Sequence, residues 1–281
     1  MINIVVTSKP CDGLLYYSYE YTSYLNALGI ETSLIIVCHN EFTPQDYTKA
    51  ITEKYIHCEN VEFDNFIPDI DDVTLILGRS MMTLAWKGFG KYTQGQQATL
   101  RLLFANRLIS IYSENHPVEY PAAVKFFTPK KIIDLCDTEI YPNGTGKHFE
   151  KTINFSIYKP YTTETKFKYL FLGTNKKYYE TVESVISDYP DHGILTYNQN
   201  YINLRNNNIF APVKNLFGLF ETYVYTKNTF DPAPRIFQEC KYFGKEIIYL
   251  RDKSICDGGS VYWKRTIKEP NVTEILKAYD L

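Results

Sequence analysis

Two side chains of opposite charge, Arg235 and Glu239, lie four residues apart at the start of a predicted helix. The preceding Asp231-Pro-Ala-Pro segment favours a turn and a first helical position, and Gly244 is typical of a helix end. The apolar run from Ile247 to Leu250 predicts a buried strand. A helix N-terminus with a nearby arginine suits phosphate oxygens, and a carboxylate one turn on can accept hydrogen bonds from ribose hydroxyls. The alternative is a surface ion pair.

A glycine turn with two lysines is the second candidate site. It follows the predicted strand Lys168–Leu172 and opens a predicted helix. Backbone N–H groups of such a turn, together with lysines, could hold a diphosphate. The alternative is a glycine turn with solvated lysines, and the glycine and lysine spacing of a P-loop is absent. The candidate residues are Gly173, Thr174, Lys176 and Lys177.

An acidic turn follows the predicted strand Leu108–Tyr112. Ligands of open parallel sheets lie beyond the carboxyl ends of the strands, so Glu114 is placed to take a proton from an acceptor hydroxyl. His116 is the second candidate base, and Asp12, in the loop after the first strand, is the third. The alternative is that Glu114 only orders its own turn.

The Asp69-Ile-Asp71-Asp72 segment has the spacing of an Asp-x-Asp metal motif. It precedes the predicted strand Val73–Leu77, which puts it at the wrong end of a parallel sheet for chemistry. We therefore interpret it as a solvated loop and predict no metal site. Stabilisation of a leaving group by a helix end and lysines is the expected substitute.

A glycine-rich segment with aromatic and basic residues follows the strand Val73–Leu77. Such side chains can contact phosphates and stack on a displaced base, and a lid over a small acceptor would have the same composition. The candidate acceptor or DNA contacts are Arg79, Trp86, Lys87, Phe89 and Lys91.

Alternating strands and helices position these candidates. We predict strands at Ile2–Val6, Thr32–Cys38, Tyr55–Cys58, Val73–Leu77 and Leu108–Tyr112, and helices at Tyr16–Leu28, ending at Gly29, and at Thr93–Asn106. This alternation predicts an α/β fold with a parallel sheet, and the segment from Lys168 repeats the opening strand, glycine turn and helix. We expect domains 1–160 and 161–281, with a final helix at Val272–Tyr279 that crosses back to the first.

Composition sets further limits. The chain has 281 residues, a formal net charge of -2, 25 Tyr and 17 Phe, so no global basic field indicates nucleic acid and DNA binding would need a local patch. The six cysteines lack CxxC spacing, which favours reduced thiols. Neither a signal peptide nor a membrane span is recognisable, and we expect a cytoplasmic protein.

The Arg235/Glu239 segment, with its spacing from Glu239 to Gly244, resembles the nucleotide-sugar-binding motif of GT-B glycosyltransferases. The resemblance implies two Rossmann-like domains with parallel sheets that face each other across a cleft. The order of motifs along the chain also resembles the DNA glucosyltransferases of T-even bacteriophages. Within that family Glu114 takes the place of the acidic base, and Lys176 and Lys177 take the places of phosphate-binding arginines.

The similarity is greatest to the β-glucosyl-HMC α-glucosyltransferase type, which extends glucosylated 5-hydroxymethylcytosine. It implies UDP-glucose as the donor substrate, no cofactor, modified double-stranded DNA as the partner, no protein partner, and the cytoplasm of an infected cell as the location. Transfer to the 6-hydroxyl of a glucose on the base would invert the anomeric centre and give a gentiobiosyl group.

Two other functions fit the same residues. A capsule or lipopolysaccharide glycosyltransferase would use the same donor half, and the net charge of -2 favours it slightly over a DNA enzyme. A non-catalytic nucleotide- or DNA-binding protein could use the same scaffold.

Overall fold

The structure, a computed structural model, describes thirteen segments of the chain. They are residues 1–10, 12–39, 41–69, 71–77, 92–105, 107–112, 133–134, 153–162, 164–172, 182–196, 209–210, 216–226 and 235–250. Two compact units divide them. The first contains Met1–Thr52 and the described part of His57–Ile157, and the second contains Glu53–Ile56 and the described part of Tyr158–Ile267.

The first unit is built on a six-stranded parallel sheet with the order β3-β2-β1-β4-β5-β6. The strands are β1 (Ile2–Val6), β2 (Thr32–Ile36), β3 (Val61–Phe63), β4 (Val73–Leu77), β5 (Arg107–Tyr112) and β6 (Ile133–Asp134). All five residues of β1 are buried, as expected for a central strand covered on both faces. The order is that of a Rossmann-type sheet.

Three helices belong to this part of the chain: α1 (Gly13–Ala27), α2 (Pro44–Lys54) and α3 (Gln94–Ala105). Asp12 caps α1, because its Oδ1 accepts a hydrogen bond of 2.8 Å from the backbone nitrogen of Leu14. The helix therefore begins three residues before the predicted Tyr16. It stops where predicted, since Gly29 has a φ of +79° and the Ile30 nitrogen bonds the Leu25 carbonyl.

The predicted strand Tyr55–Cys58 is wrong. Helix α2 fills the preceding segment, Tyr55 forms only a single antiparallel bridge with Tyr158, and the strand comes later at Val61–Phe63. The sequence Thr43-Pro-Gln-Asp46 is typical of a helix N-terminus. In the structure, the backbone nitrogen and the hydroxyl of Thr43 both donate to the Asp46 carboxylate at 2.8 Å.

The reading of residues 69–72 as a solvated loop is wrong for Asp72. Asp69 and Asp71 are exposed, but Asp72 is buried and its Oδ2 accepts hydrogen bonds from Asn3 Nδ2 at 2.9 Å and the Asp69 nitrogen at 3.0 Å. Asn3 is the buried polar residue of β1, and Asp72 accepts a hydrogen bond from its amide nitrogen. This carboxylate therefore fixes the amino end of β1 against β4.

The second unit repeats the pattern with a five-stranded parallel sheet in the order β11-β10-β7-β8-β9. The strands are β7 (Phe167–Leu172), β8 (His192–Leu195), β9 (Ile209–Phe210), β10 (Phe220–Tyr225) and β11 (Glu246–Tyr249). Helix α4 (Arg235–Tyr242) lies between β10 and β11 in the chain, and its Phe237 and Cys240 pack on a cluster with Tyr223 and Tyr225. Phe171, Ile194 and Val224 form a separate cluster.

The predicted α/β class with two Rossmann-like parallel sheets is confirmed. The domain bounds of 1–160 and 161–281 and the facing of the two sheets across a cleft stay predictions. The predicted helix at 272–279 lies outside the described residues. Among the described helices, none is long and apolar enough to span a bilayer.

Candidate functional site

The second sheet has a reversal of strand order between β7 and β10. From β7 the chain moves outward through β8 and β9, and then returns to the other side of β7 with β10 and continues to β11. Connections that leave two adjacent parallel strands in opposite directions open a crevice at their carboxyl ends, which is where open α/β sheets bind ligands. The segment that starts at Gly173 follows β7, and the segment that leads into α4 follows β10.

Helix α4 carries both charged candidates of this edge. Arg235 is its first residue and Glu239 is one turn further on, so the two side chains share a face. The apolar residues Phe237 and Cys240 anchor the helix to the sheet. Gly244, with a φ of +66°, ends the helix as predicted, and the Lys245 nitrogen bonds the Cys240 carbonyl at 2.8 Å.

Glu239 is buried, with 3% of its surface exposed, and one of its oxygens receives three donors. Lys54 Nζ lies 2.5 Å from Oε1, Arg235 Nε lies 2.8 Å from it, and the Tyr158 hydroxyl donates to it over 2.8 Å. The side chains of Lys54 and Arg235 are themselves only 16% and 14% exposed. The arrangement is a buried charge cluster rather than a surface ion pair.

Tyr158 also contacts the arginine. Its hydroxyl accepts a short hydrogen bond from Arg235 Nη2, and the hydroxyl of Tyr55 lies 3.4 Å from the same nitrogen. The rings of Tyr55 and Tyr158 meet edge to face at 5.1 Å, and Lys54 Nζ lies 5.4 Å from the centre of the Tyr158 ring. Aromatic rings therefore enclose the polar atoms of the cluster.

The charge state of Glu239 follows from these neighbours. Burial by itself would raise the pKa of this carboxyl, but the charges of Lys54 and Arg235 and the hydrogen bonds from Lys54 and Tyr158 outweigh it and hold the pKa below its usual value. Glu239 is therefore an anion at neutral pH.

The second oxygen of Glu239 has a different environment. Among the residues that the structure describes, none donates to Oε2, whereas Oε1 is fully engaged. A carboxylate oxygen can accept two hydrogen bonds, so Oε2 has the chemical capacity to accept from hydroxyl groups. The site can thus present a fixed anionic acceptor beside a guanidinium, which is the chemistry that suits a ribose next to a phosphate.

The ion pair of the alternative reading, between Arg235 and Glu239, is present, but it is buried rather than at the surface. The roles of both residues in binding phosphate and ribose stay predictions. Sequence reasoning missed Lys54 and Tyr158. Their separations from Glu239 are 185 and 81 residues, so no local pattern links them to α4. The local sequence Ile157-Tyr158-Lys159 contains no motif that predicts a functional role for the Tyr158 hydroxyl.

Asp12 is the one candidate base that lies among the described residues. It follows β1, whose neighbours are β2 and β4, so it stands at the strand-order reversal of the first sheet. Its Oδ1 is used as the cap of α1. The remaining site predictions lie outside the described residues: Arg79, Trp86, Lys87, Phe89, Lys91, Glu114, His116, Gly173, Thr174, Lys176 and Lys177.

In the described part of the chain, no three His, Cys, Asp or Glu side chains come together in a way that could hold a metal ion. The three cysteines described, Cys38, Cys58 and Cys240, are not in disulfides.

No protein-family model and no curated protein matches the chain. Several solved structures are distantly similar, and three of them serve as examples. SsfS6, a glycosyltransferase of Streptomyces sp. SF2575, has 9% identity over 93% of this chain and 85% of its own, with a TM-score of 0.41. A putative UDP-N-acetylglucosamine 2-epimerase from Listeria monocytogenes has 10% identity over 100% of this chain and 88% of its own, with a TM-score of 0.47. An α-glucosyltransferase in complex with UDP and a 13-mer DNA containing an HMU base has 11% identity over 80% of this chain and 72% of its own, with a TM-score of 0.47. Because these TM-scores are low, the description of the fold and of the site is based only on the strands and contacts of this chain.

Proposed function

We propose that this protein is a UDP-sugar-dependent glycosyltransferase of the GT-B type, with its donor site on the second unit. The observation that carries the proposal is Glu239 on α4, whose Oε1 accepts three hydrogen bonds and whose Oε2 has no donor among the described residues. Glu239 lies beside Arg235 on the helix that follows β10, at the strand-order reversal of its sheet. A reversal of this kind is where nucleotide ligands sit in open α/β sheets.

Each donor contact has a chemical reason. Glu239 Oε2 accepts hydrogen bonds from the ribose hydroxyls, and Arg235 faces the diphosphate. The glycine turn of Gly173 and Thr174 supplies backbone N–H groups, while Lys176 and Lys177 supply positive charge to the phosphates. These four residues follow β7, the strand next to β10, so both parts of the site start from adjacent strands.

The reaction transfers glucose with inversion. Glu114 takes the proton of the acceptor hydroxyl, the hydroxyl oxygen bonds to C1 of glucose, and the bond from C1 to the phosphate oxygen breaks with its electron pair leaving on UDP. Positive charge at the phosphate site stabilises that leaving group without a metal ion. His116 and Asp12 are the other candidate bases, and Asp12 already has a structural task as the cap of α1.

The acceptor is the glucose of glucosyl-5-hydroxymethylcytosine in duplex DNA, and the product is a gentiobiosyl group. The motif order along the chain supports this choice. Binding of DNA by a chain with a net charge of -2 requires a local basic surface, for which the segment with Arg79, Trp86, Lys87, Phe89 and Lys91 is the candidate.

One incubation separates the possible functions. The protein is mixed with UDP-glucose and duplex DNA that contains glucosylated, unglucosylated or unmodified cytosine, and the nucleosides are analysed by mass spectrometry. We expect addition of one hexose to the glucosylated nucleoside only. UDP binding without transfer to any DNA would contradict the DNA enzyme, and hexose transfer to a cell-envelope saccharide instead would identify a capsule or lipopolysaccharide enzyme.

A further inference from the structure

Two segments that are remote in sequence meet at the buried carboxylate of Glu239. Tyr55 and Tyr158 pair through an antiparallel bridge, and the nitrogen of Lys159 bonds the carbonyl of Lys54 at 3.0 Å. This backbone pairing holds Lys54 and Tyr158 next to each other. Both side chains then reach Glu239 Oε1.

The hydrogen-bond direction within this cluster is fixed by chemistry. A guanidinium only donates and a carboxylate only accepts, so the Tyr158 hydroxyl must accept from Arg235 and donate to Glu239. It therefore links the two donor-site residues in one orientation. The Tyr158 ring cannot move easily, because Tyr55 packs against it edge to face at 5.1 Å and Phe243 lies 5.9 Å away.

Lys54 completes the restraint. Its ammonium lies 2.5 Å from the same oxygen and contacts the face of the Tyr158 ring, so rotation of the carboxylate would break hydrogen bonds to three donors together. Because these three hydrogen bonds fix Oε1, the orientation of the whole carboxylate, and so the position of Oε2, is fixed as well.

We propose that Lys54 and Tyr158 are positioning residues of the donor site, which hold Arg235 and Glu239 in the orientation that binds the ribose and diphosphate of a nucleotide sugar. The inference rests on the proposed donor site, and it adds two residues that contact no substrate themselves. Their loss leaves the charges of Arg235 and Glu239 in place but lets both side chains turn, so ligand affinity falls.

The chain offers a matched control for Tyr158. Tyr161 also packs edge to face on Phe243, at 5.0 Å, and its hydroxyl donates to the Phe243 carbonyl at 3.2 Å. In the described part of the unit, the Tyr161 hydroxyl bonds neither Arg235 nor Glu239. Y158F and Y161F therefore each remove one hydrogen-bonded tyrosine hydroxyl, and only the first removes it from the charge cluster.

The test measures the dissociation constant of UDP by calorimetry in the full-length protein and its variants. A hydrogen bond to a charged group is worth enough to change affinity about tenfold, so we expect Y158F to weaken UDP binding by about that factor while Y161F stays within about twofold. K54M should also weaken binding, and K54R should restore most of it because a cation again reaches Oε1. Thermal melting of each variant reports any general loss of structure.

The outcomes distinguish the two levels of the proposal. If the unaltered protein does not bind UDP, the proposed donor site itself is wrong. If it binds UDP but Y158F and Y161F bind equally well, or K54M binds as well as K54R, the positioning role is wrong. Should Y158F fail to fold, the K54M and K54R pair decides the question.

Discussion

Replacement of Glu239 by glutamine tests the charge cluster through stability. The variant keeps the shape of the side chain but removes the carboxylate that contacts Lys54 and Arg235. Loss of one partner from a buried ion pair costs about 3–5 kcal/mol, and the amide oxygen of glutamine can still accept hydrogen bonds, so we expect about 3 kcal/mol at neutral pH. The exposed Glu164 of the same unit provides the control, and E164Q should change stability by less than about 0.5 kcal/mol.

The pH dependence of this cost has a definite sign. The pKa of Glu239 is lower in the folded protein than in the unfolded chain, so its contribution is complete above the unfolded pKa of about 4.3. It is lost as the pH falls through the depressed folded pKa. The stability difference between the unaltered protein and E239Q should therefore be constant from about pH 7 to about pH 5 and shrink below about pH 4.

Urea unfolding at a series of pH values is the appropriate assay. The free energy of unfolding of the unaltered protein, E239Q and E164Q is compared under each condition, with tyrosine fluorescence and far-ultraviolet circular dichroism as two probes. A difference under about 0.5 kcal/mol at neutral pH would refute the buried ion cluster. A large difference that does not change with acid would refute the depressed pKa.

Further predictions concern single residues. Gly244→Ala should destabilise the protein by about 1 kcal/mol in chemical unfolding, because alanine strains a φ of +66°, and an unchanged value would contradict that backbone. Asp12→Ala should cost about 1 kcal/mol through the lost cap of α1, whereas Asp12→Asn should retain the cap. Loss of sugar transfer in the asparagine variant, despite its retained stability, would instead make Asp12 the base. Glu114→Gln should abolish transfer while the dissociation constant of UDP is preserved, and normal turnover would remove Glu114 from the role of base. Cys38, whose pKa is raised to about 12 by burial and by the nearby Asp64, should resist alkylation in the folded protein at mildly alkaline pH, and rapid labelling would contradict its burial.

Much of the fold could be predicted because its signals are local. Apolar runs such as Ile2–Val6 and Val73–Leu77 coincide with the observed strands, and Gly29 and Gly244 mark helix ends through their positive φ. The strand predicted at Tyr55–Cys58 was wrong because Tyr55 is buried by side-chain packing and a single bridge, which give an apolar signal without a strand. A short run cannot separate these cases.

The candidate site was predictable only in part, for the same reason. The i,i+4 spacing of Arg235 and Glu239 predicts their contact, since a helix brings these positions together. It does not predict burial of the carboxylate, because the groups that enclose it, Lys54 and Tyr158, come from segments that only the tertiary fold brings to α4. Asp72 shows the same limit: the nearby acidic residues Asp69 and Asp71 are exposed, whereas its partner Asn3 is 69 residues away.

The central claim is that Glu239 Oε2 binds the ribose of a uridine nucleotide. The most direct test compares the affinities of UDP and its 2′,3′-dideoxy analogue in the unaltered protein and in a Glu239→Ala variant. Loss of the ribose hydroxyls should weaken binding at least about tenfold when Glu239 is present and by less than about twofold when it is absent. An equal loss in both proteins would show that the ribose is bound elsewhere and would contradict the account.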